Sequence, residues 1–238
     1  MNHYFRFYQQ AVTKYQLHSP AIFQLVMAVM EDSRRYYAFD DIPQMRQAVF
    51  QSKEKHHSDF SERIRAHAPA RRTGERLFRL VQHFAPARTI ILGSGAGLGC
   101  LYAASASPGP VLMYEWQQVM EKFAQINLTF LHLEQRVTFI QSARELLDQV
   151  TDQDLLISFA DDKHMLPTGL PQMPKAAVGL GMYDTKERYQ GLQLWNQQPG
   201  LKASVDFFDL TVWLMEEGMR EVQHVKVVPA WHKPWKFY

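Results

Sequence analysis

The sequence has few cysteines and no long apolar run, and both absences narrow what the protein can be. Cys100 is the only cysteine among 238 residues, which excludes an intramolecular disulfide and favours a reducing compartment. The longest nearly apolar stretch, 21–30, is interrupted by Gln24 and is too short to span a bilayer. The first eight residues lack the apolar core of a signal peptide. We therefore expect a cytoplasmic protein that does not cross a membrane.

A glycine-rich stretch at 89–99 is the strongest local signal in the chain. Thr89 to Leu92 is a short apolar run typical of a buried parallel strand. Four alternating glycines follow, and then 100–106 is small and apolar enough to begin a helix. A strand, a glycine turn and a helix together present backbone N–H groups to a nucleotide-like ligand. A tight structural connection is the alternative interpretation.

The spacing of these glycines narrows the ligand class. A dinucleotide fingerprint needs Gly or Ala at its sixth position, whereas Leu98 or Cys100 stands there. A P-loop is excluded because no Gly-Lys-Ser/Thr follows the turn. A second apolar run, 111–114, ends at Glu115, whose carboxylate can accept hydrogen bonds from two ribose hydroxyls. An adenosine ligand without a pyrophosphate, such as S-adenosylmethionine, fits this combination.

Residues 1–87 are predicted to form a helical N-terminal extension. Ser19 and Pro20 are typical of a helix start, and Asp40-Asp41 is expected to cap a second helix. A short helix is predicted over 60–68. Thr73 is expected to cap the last helix of the extension, which Pro86 closes.

Residues 88–238 alternate between strand and helix patterns, which predicts a mostly parallel sheet with helices on both faces. Strands are predicted at 88–92, 111–115, 137–141, 154–159 and 175–180, with further β-rich sequence at 202–215 and 221–228. Helices are predicted at 97–106, 117–131, 143–150 and 185–196. The fold class is therefore α/β.

Several segments together resemble a known family. They are His18-Ser19-Pro20, Tyr36-Tyr37-Ala38-Phe39, 77–81, 89–99 with Leu101-Tyr102, and Asp206-Phe207-Phe208. The chain resembles bacterial class I S-adenosylmethionine-dependent O-methyltransferases that carry a helical N-terminal extension. The resemblance implies a Rossmann-like sheet of seven strands with the last one antiparallel. It also implies S-adenosylmethionine as cofactor and a small molecule as methyl acceptor.

The resemblance also implies which residues bind the cofactor. The glycine loop matches at Gly93, Gly95 and Gly97, and Glu115 matches the ribose-binding acid. Ser142-Ala143 falls where the adenine edge is held. The full implied set is Gly93, Ser94, Gly95, Gly97, Glu115, Trp116, Ser142, Ala143 and Phe159. No residue stands out as a catalytic base.

Three positions depart from the family pattern. Ile91 stands where an acid is usual, Phe159 stands where an Asp usually ends strand four, and Leu180-Gly181 replaces acids that help to hold a divalent metal. Because divalent cations need hard oxygen ligands, we predict methyl transfer without a metal. A methyltransferase-like binding or scaffold protein that has lost catalysis is the competing hypothesis.

Other candidate residues have simpler interpretations, which we favour. Asp161, Asp162 and His164 are interpreted as loop charges rather than replacement acids. Asp184, which follows Tyr183, is interpreted as a helix cap rather than a base. Cys100 is interpreted as a packed thiol rather than a nucleophile. His18 is only a candidate for a substrate lid.

The charge distribution suggests possible partners without identifying one. Residues 1–88 hold 14 Lys and Arg against 8 Asp and Glu, so this third could meet an acidic partner. An arginine-rich run lacks interleaved aromatic stacking residues, and nucleic-acid binding is therefore not favoured. It comprises Arg63, Arg65, Arg71, Arg72, Arg76 and Arg79. The aromatic tail, Trp231, Trp235, Phe237 and Tyr238, is expected to pack on the domain or on a second copy in a homodimer.

Overall fold

Eight strands form a single sheet at the centre of the protein. The computed structural model describes residues 3–51, 64, 67–159, 166–215 and 221–233. The strands are β1 (Arg88–Leu92), β2 (Val111–Tyr114), β3 (Val137–Phe139), β4 (Asp154–Ser158), β5 (Ala176–Leu180), β6 (Ala203–Asp206), β7 (Leu210–Leu214) and β8 (Gln223–Lys226). Their order across the sheet is β3-β2-β1-β4-β5-β7-β6-β8. The predicted α/β class is confirmed.

All neighbouring strand pairs are parallel except those that involve β7. β7 is antiparallel to both β5 and β6, whereas β8 is parallel to β6. The predicted Rossmann-like arrangement of seven strands with one antiparallel strand is confirmed, and the structure adds β8 as an eighth strand at one edge. In the parallel part, the carboxyl ends of β1, β2, β4 and β5 lie along the same edge of the sheet, where the loops after them can form a common site.

Helices cover the sheet and fill the N-terminal part of the chain. They are α1 (His3–Gln10), α2 (Pro20–Val26), α3 (Ala38–Gln51), α4 (Arg71–Phe84), α5 (Gly99–Ala106), α6 (Gln118–Phe130), α7 (Ala143–Leu147) and α8 (Lys186–Trp195). Short 3-10 turns lie at Lys14–Gln16, Glu134–Arg136 and Ala230–His232, and a π turn, Met27–Glu31, extends α2.

The caps of these helices agree only in part with the sequence patterns. Ser19 caps α2 as predicted, since its hydroxyl accepts from the Ile22 amide with Pro20 in the first turn. The predicted cap at Asp40-Asp41 is wrong, because α3 already begins at Ala38 and both acids lie in its first turn. Negative charge at a helix N-terminus is favourable in either place, which explains why the pattern misplaced the boundary.

The predicted cap at Thr73 is also wrong, because α4 begins at Arg71 with Ala70 as its N-cap. Thr73 lies inside the helix, 7% exposed, and its hydroxyl is used in a contact with a distant turn that is described below. The predicted helix over 60–68 lies almost entirely outside the described residues.

The core lies on both faces of the sheet and is continuous with the N-terminal helices. Ile91 of β1 belongs to an apolar cluster that includes Leu25 of α2, Leu77 of α4 and Leu101 of α5. Ile90, which points the other way, belongs to a second cluster. A buried side chain of this kind stabilises the fold by about 1.5–3 kcal/mol. The division of the chain into an extension and an α/β domain at residue 87 stays a prediction.

The two ends of the described chain meet beside β8. Val12 and Val227 form a parallel bridge, the Tyr8 hydroxyl donates to the His232 carbonyl, and the buried Lys233 ammonium donates to the Ala11 carbonyl at 2.7 Å. These contacts cover the edge that β8 would otherwise expose.

Only part of the arginine-rich run and of the aromatic tail lies within the described residues. Arg76 is buried and Arg71 pairs with Glu75 within its own helix, while Arg63 and Arg65 lie outside the described residues. Trp231 is 68% exposed and its ring contacts His232 edge to face; packing of the tail on the domain or on a second copy stays a prediction. Trp235, Phe237 and Tyr238 lie outside the described residues. Within the described ranges, the helices are too short or too polar to cross a membrane.

Candidate functional site

The loop between β1 and α5 adopts a backbone conformation that favours glycine. Gly93, Gly95 and Gly97 all have positive φ angles, of 77°, 58° and 70°. Ala96 shares this conformation with φ 55°, which is uncommon for a residue with a Cβ. The resulting turn brings successive backbone amides to the carboxyl edge of the sheet. The glycines at 93, 95 and 97 are therefore required by the backbone conformation of the loop.

Two amides of this loop are available to a ligand. The Gly97 amide donates to Ser94 Oγ at 2.8 Å, and the Gly99 amide donates to the Gly95 carbonyl at 3.0 Å. The amides of Gly95 and Ala96 donate to no acceptor in the part of the chain that the structure describes. Both residues line a narrow cleft beside the loop. Unpaired N–H groups at such a place are suited to an anionic or carbonyl group of a ligand.

Glu115 forms the opposite wall of this cleft. It follows β2 directly and is 8% exposed. Its Oε2 accepts from the Ser94 amide at 2.7 Å, and its Oε1 accepts from the Gln117 amide at 3.0 Å. Each carboxylate oxygen has a second lone pair, so Glu115 is held in a fixed orientation and can still accept hydrogen bonds from a ligand's hydroxyls.

Aromatic rings fill the space next to the glycines. A Cβ on Gly95 would lie 2.7 Å from Cδ1 of Phe159, and one on Gly93 would lie 2.5 Å from Cη2 of Trp116. A Cβ on Gly99 would also overlap the Phe159 ring. The cleft that remains has a volume of about 20 Å³, room for about one water molecule. The glycines therefore make room for the chain's own rings in this conformation.

A second, larger cavity adjoins the cleft. Its volume is about 230 Å³, and His67 and Phe159 line both spaces. Its other lining residues are Ala68, Pro69, Ala70, Thr73, Leu180, Gly181, Asp184, Arg188, Phe208 and Asp209. The two spaces together run along the carboxyl ends of β1, β2, β4 and β5, where ligands bind in open α/β sheets.

Charged side chains around the larger cavity are paired with each other. Asp209 accepts from the Thr73 hydroxyl at 2.9 Å and from the Arg76 guanidinium at 2.5 Å. Asp184 accepts from Arg188 at 3.2 Å. Burial lowers the pKa of Arg76, and the Asp209 carboxylate opposes that effect. The cavity therefore presents balanced charge to a ligand.

The turn between β6 and β7 lines one side of this cavity through Phe208 and Asp209. The buried Asp206 carboxylate fixes this turn. Asp206 is 5% exposed, accepts from the Phe208 amide at 2.9 Å and accepts from the Tyr183 hydroxyl. The Tyr183 and Phe208 rings stack with centroids 5.0 Å apart. Burial raises the pKa of Asp206 to about 6, although the Tyr183 hydrogen bond acts in the opposite direction.

The structure brings together most of the residues predicted to bind the cofactor. Ser94, Gly95, Glu115, Trp116 and Phe159 line the narrow cleft. Gly93 packs against Trp116, and Gly97 packs against Phe123 of α6. Ser142 and Ala143 do not line the cleft; the Ser142 hydroxyl caps α7 by accepting from the Glu145 amide.

The other residues that the sequence singled out lie in several different places. The predicted cap at Asp184 is wrong, because Thr185 is the N-cap of α8. Cys100 is 1% exposed, which confirms a packed thiol, and burial raises its pKa. Asp161, Asp162 and His164 lie outside the described residues. Ile91 is fully buried in β1, and Leu180 and Gly181 line the larger cavity.

Sequence patterns missed three polar residues of this region. His67 lies in the segment 60–68, which was predicted only as a short helix, Thr73 resembled a helix cap, and Asp209 occupies a turn between two strands. The fold brings all three to one cavity, and local spacing does not encode that proximity. In the described ranges, His, Cys, Asp and Glu side chains form no group of three or more suited to a metal ion.

Comparison with known proteins shows a fold relationship and no close sequence relative. No sequence model of a protein family matches the chain, and no curated protein does. A putative O-methyltransferase from Klebsiella pneumoniae superposes with a TM-score of 0.52 at 17% identity, over 88% of this chain and 98% of that one. An O-methyltransferase from Bacillus cereus in complex with S-adenosylhomocysteine gives 0.52 at 16% identity, over 87% and 99%.

A methyltransferase from Podospora anserina with bound S-adenosylhomocysteine gives a TM-score of 0.56 at 10% identity, over 84% of this chain and 97% of that one. These matches span nearly the whole of each solved chain. The chain therefore has the fold of class I S-adenosylmethionine-dependent O-methyltransferases.

Proposed function

We propose that this chain binds S-adenosylmethionine and transfers its methyl group to an oxygen atom of a small molecule. One observation carries the proposal: a buried carboxylate, Glu115, lines one cleft at the carboxyl edge of the sheet together with Gly95 and Ala96, whose amides have no acceptor among the described residues. The fold shared with O-methyltransferases supports the class of reaction.

The donor groups of the cleft suit the parts of this cofactor. Glu115 would accept hydrogen bonds from the two ribose hydroxyls, and the Gly95 and Ala96 amides would bind the methionine carboxylate. When bound, the cofactor supplies a methyl group activated by a positively charged sulfonium. The chain has only to hold donor and acceptor in line and to accept a proton.

Binding requires two rings to move. Ligand sites for molecules of this size have volumes of about 300–1,000 Å³, whereas the cleft holds about 20 Å³. Phe159 and Trp116 occupy the difference, since their rings lie against the glycines. Side-chain rotations at a binding site are common on ligand binding. We expect Phe159 and Trp116 to rotate away from Gly95, Gly99 and Gly93 and to become walls of the enlarged site.

The larger cavity is the proposed acceptor site, and the reaction is proposed to proceed without a metal ion. Leu180 and Gly181 provide no hard oxygen side chain at the end of β5. Asp184 and Asp209 are engaged by guanidinium groups. A volume of about 230 Å³ suits a small acceptor.

Calorimetric titration with S-adenosylhomocysteine tests the cofactor assignment. The wild-type protein is expected to bind, and Glu115→Gln is expected to bind at least about ten-fold more weakly, because a charge-assisted pair of hydrogen bonds is lost. Glu121→Gln on the exposed face of α6 serves as the control. If the wild-type chain binds neither S-adenosylhomocysteine nor S-adenosylmethionine, the proposal is wrong and a scaffold protein without catalysis is the remaining hypothesis.

A further inference from the structure

We propose that His67 is the general base of the methyl transfer, a role that rests on the proposed function. His67 lies at the junction of the two spaces: it lines both the narrow cleft beside Glu115 and the larger cavity beside Asp209. Phe159 shares this position, but a phenyl ring cannot accept a proton. An acceptor oxygen in contact with the donor must lie at that junction.

Among the residues that the structure describes, the other ionisable groups that line the two spaces are already engaged. Glu115 accepts from two backbone amides. Asp209 is bound by Thr73 and Arg76, and Asp184 is bound by Arg188. Hydrogen bonds to a carboxylate lower its basicity, and a guanidinium has no lone pair to offer.

His67 has none of these constraints. It makes no hydrogen bond, ion pair or ring contact with any residue that the structure describes, and it is exposed to solvent. A neutral imidazole has a free nitrogen lone pair, which suits a base that must accept a proton and release it to solvent.

Methyl transfer to a hydroxyl group requires that group to lose its proton. An imidazole nitrogen of His67 takes the proton of the acceptor hydroxyl, and the oxygen forms its new bond to the methyl carbon. The electron pair of the broken C–S bond returns to sulfur, which loses its positive charge. The imidazolium then releases its proton to water.

A comparison of NMR spectra tests this placement without an acceptor. The sulfonium of S-adenosylmethionine is positive, whereas the sulfur of S-adenosylhomocysteine is neutral. A charge polarises a nearby imidazole ring, and the effect falls off with distance. We expect the ring proton signals of His67, recorded at one fixed pH, to differ between the two complexes.

The controls separate this inference from the proposed function. His67→Gln assigns the signal, and its affinity for S-adenosylhomocysteine should stay within about three-fold of wild type. His224 in β8, whose Nδ1 lies 2.7 Å from Ser204 Oγ, should show identical ring proton signals in both complexes.

The calorimetric and NMR results distinguish the role of His67 from binding of the cofactor. Calorimetric binding of both ligands with identical ring proton signals of His67 in the two complexes would overturn the role of His67 and leave the cofactor assignment intact. Loss of binding in His67→Gln would also overturn it, since His67 would then hold the cofactor instead. Absence of binding to the wild-type chain would remove both proposals.

Discussion

The hydroxyl of Thr73, in α4, donates a hydrogen bond of 2.9 Å to Oδ2 of Asp209, in the turn between β6 and β7. The two residues are 136 positions apart in the sequence. Arg76, one turn further along α4, contacts the other oxygen of the same carboxylate. Asp209 therefore joins the N-terminal helices to the far half of the sheet, directly beside the proposed acceptor cavity.

Removing the charge of Asp209 should destabilise the protein. The Arg76 side chain is 9% exposed, so Asp209→Asn leaves a buried guanidinium without its counterion. We expect the free energy of unfolding, measured in urea, to fall by about 3–5 kcal/mol. Asp40→Asn, which breaks the exposed pair with Arg71, should change it by less than about 1 kcal/mol. Equal effects of the two variants would contradict the assigned role.

Because Phe159 packs against the glycine loop, we expect Gly99→Ala to lower the stability of the protein, contrary to the usual effect of alanine in a helix. Gly99 opens α5 with an ordinary φ, and Gly→Ala in a helix is normally stabilising by about 1 kcal/mol. Here the new Cβ would overlap the Phe159 ring, so Gly99→Ala should destabilise the protein by about 1–3 kcal/mol.

A double-mutant cycle checks this contact. In a Phe159→Ala background the ring is absent, and Gly99→Ala should lose most of its destabilising effect, giving a coupling energy above about 1 kcal/mol. If the two substitutions have additive effects on stability, the Phe159 ring does not pack against Gly99 in solution.

Asp206 should make the protein less stable as the pH rises through the weakly acidic range. Its pKa is raised from 3.8 to about 6 in the folded state, so between these values the folded state binds more protons than the unfolded state. The free energy of unfolding then falls with rising pH, by roughly 3 kcal/mol once the pH exceeds the folded-state value.

Urea denaturation at several values between pH 4 and pH 7 measures this contribution as the difference between the wild type and Asp206→Asn. The variant should lack the loss of stability, while Asp152→Asn at an exposed turn should keep it. A wild-type advantage over Asp206→Asn that grows with pH would contradict the prediction.

Cys100 should be unreactive until the protein unfolds. The thiol is 1% exposed, and burial raises its pKa, so little thiolate forms and a reagent cannot reach it. Titration with Ellman's reagent should give no reaction with the folded protein and one thiol per chain in denaturant. Rapid reaction in the folded state would show that the start of α5 opens readily.

The sequence predicted the sheet more accurately than the site, for physical reasons. Strands such as β1 and β4 are continuous apolar runs because both faces are covered by helices, and such runs are visible in one dimension. The glycine loop and Glu115 were also predictable, since backbone conformation and a strand end fix their positions.

The acceptor side was not predictable in the same way. Thr73 was misread because its hydroxyl, which would suit a helix cap, instead contacts a turn from the distant half of the chain. β8 lies inside the β-rich segment predicted at 221–228, whereas the single β-rich segment predicted at 202–215 contains two strands, β6 and β7. No local sequence pattern predicted that the Phe159 ring would pack against Gly95.

The pairing of the two chain ends beside β8 has a consequence for how the protein folds. Val12 meets Val227 and Ala11 meets Lys233, so these contacts close a loop of more than 200 residues and carry a large entropic cost. On a ribosome, Ala11 and Val12 acquire these partners only after Val227 and Lys233 have been synthesised. The edge of the sheet should thus be the last region to gain protection from hydrogen exchange during refolding.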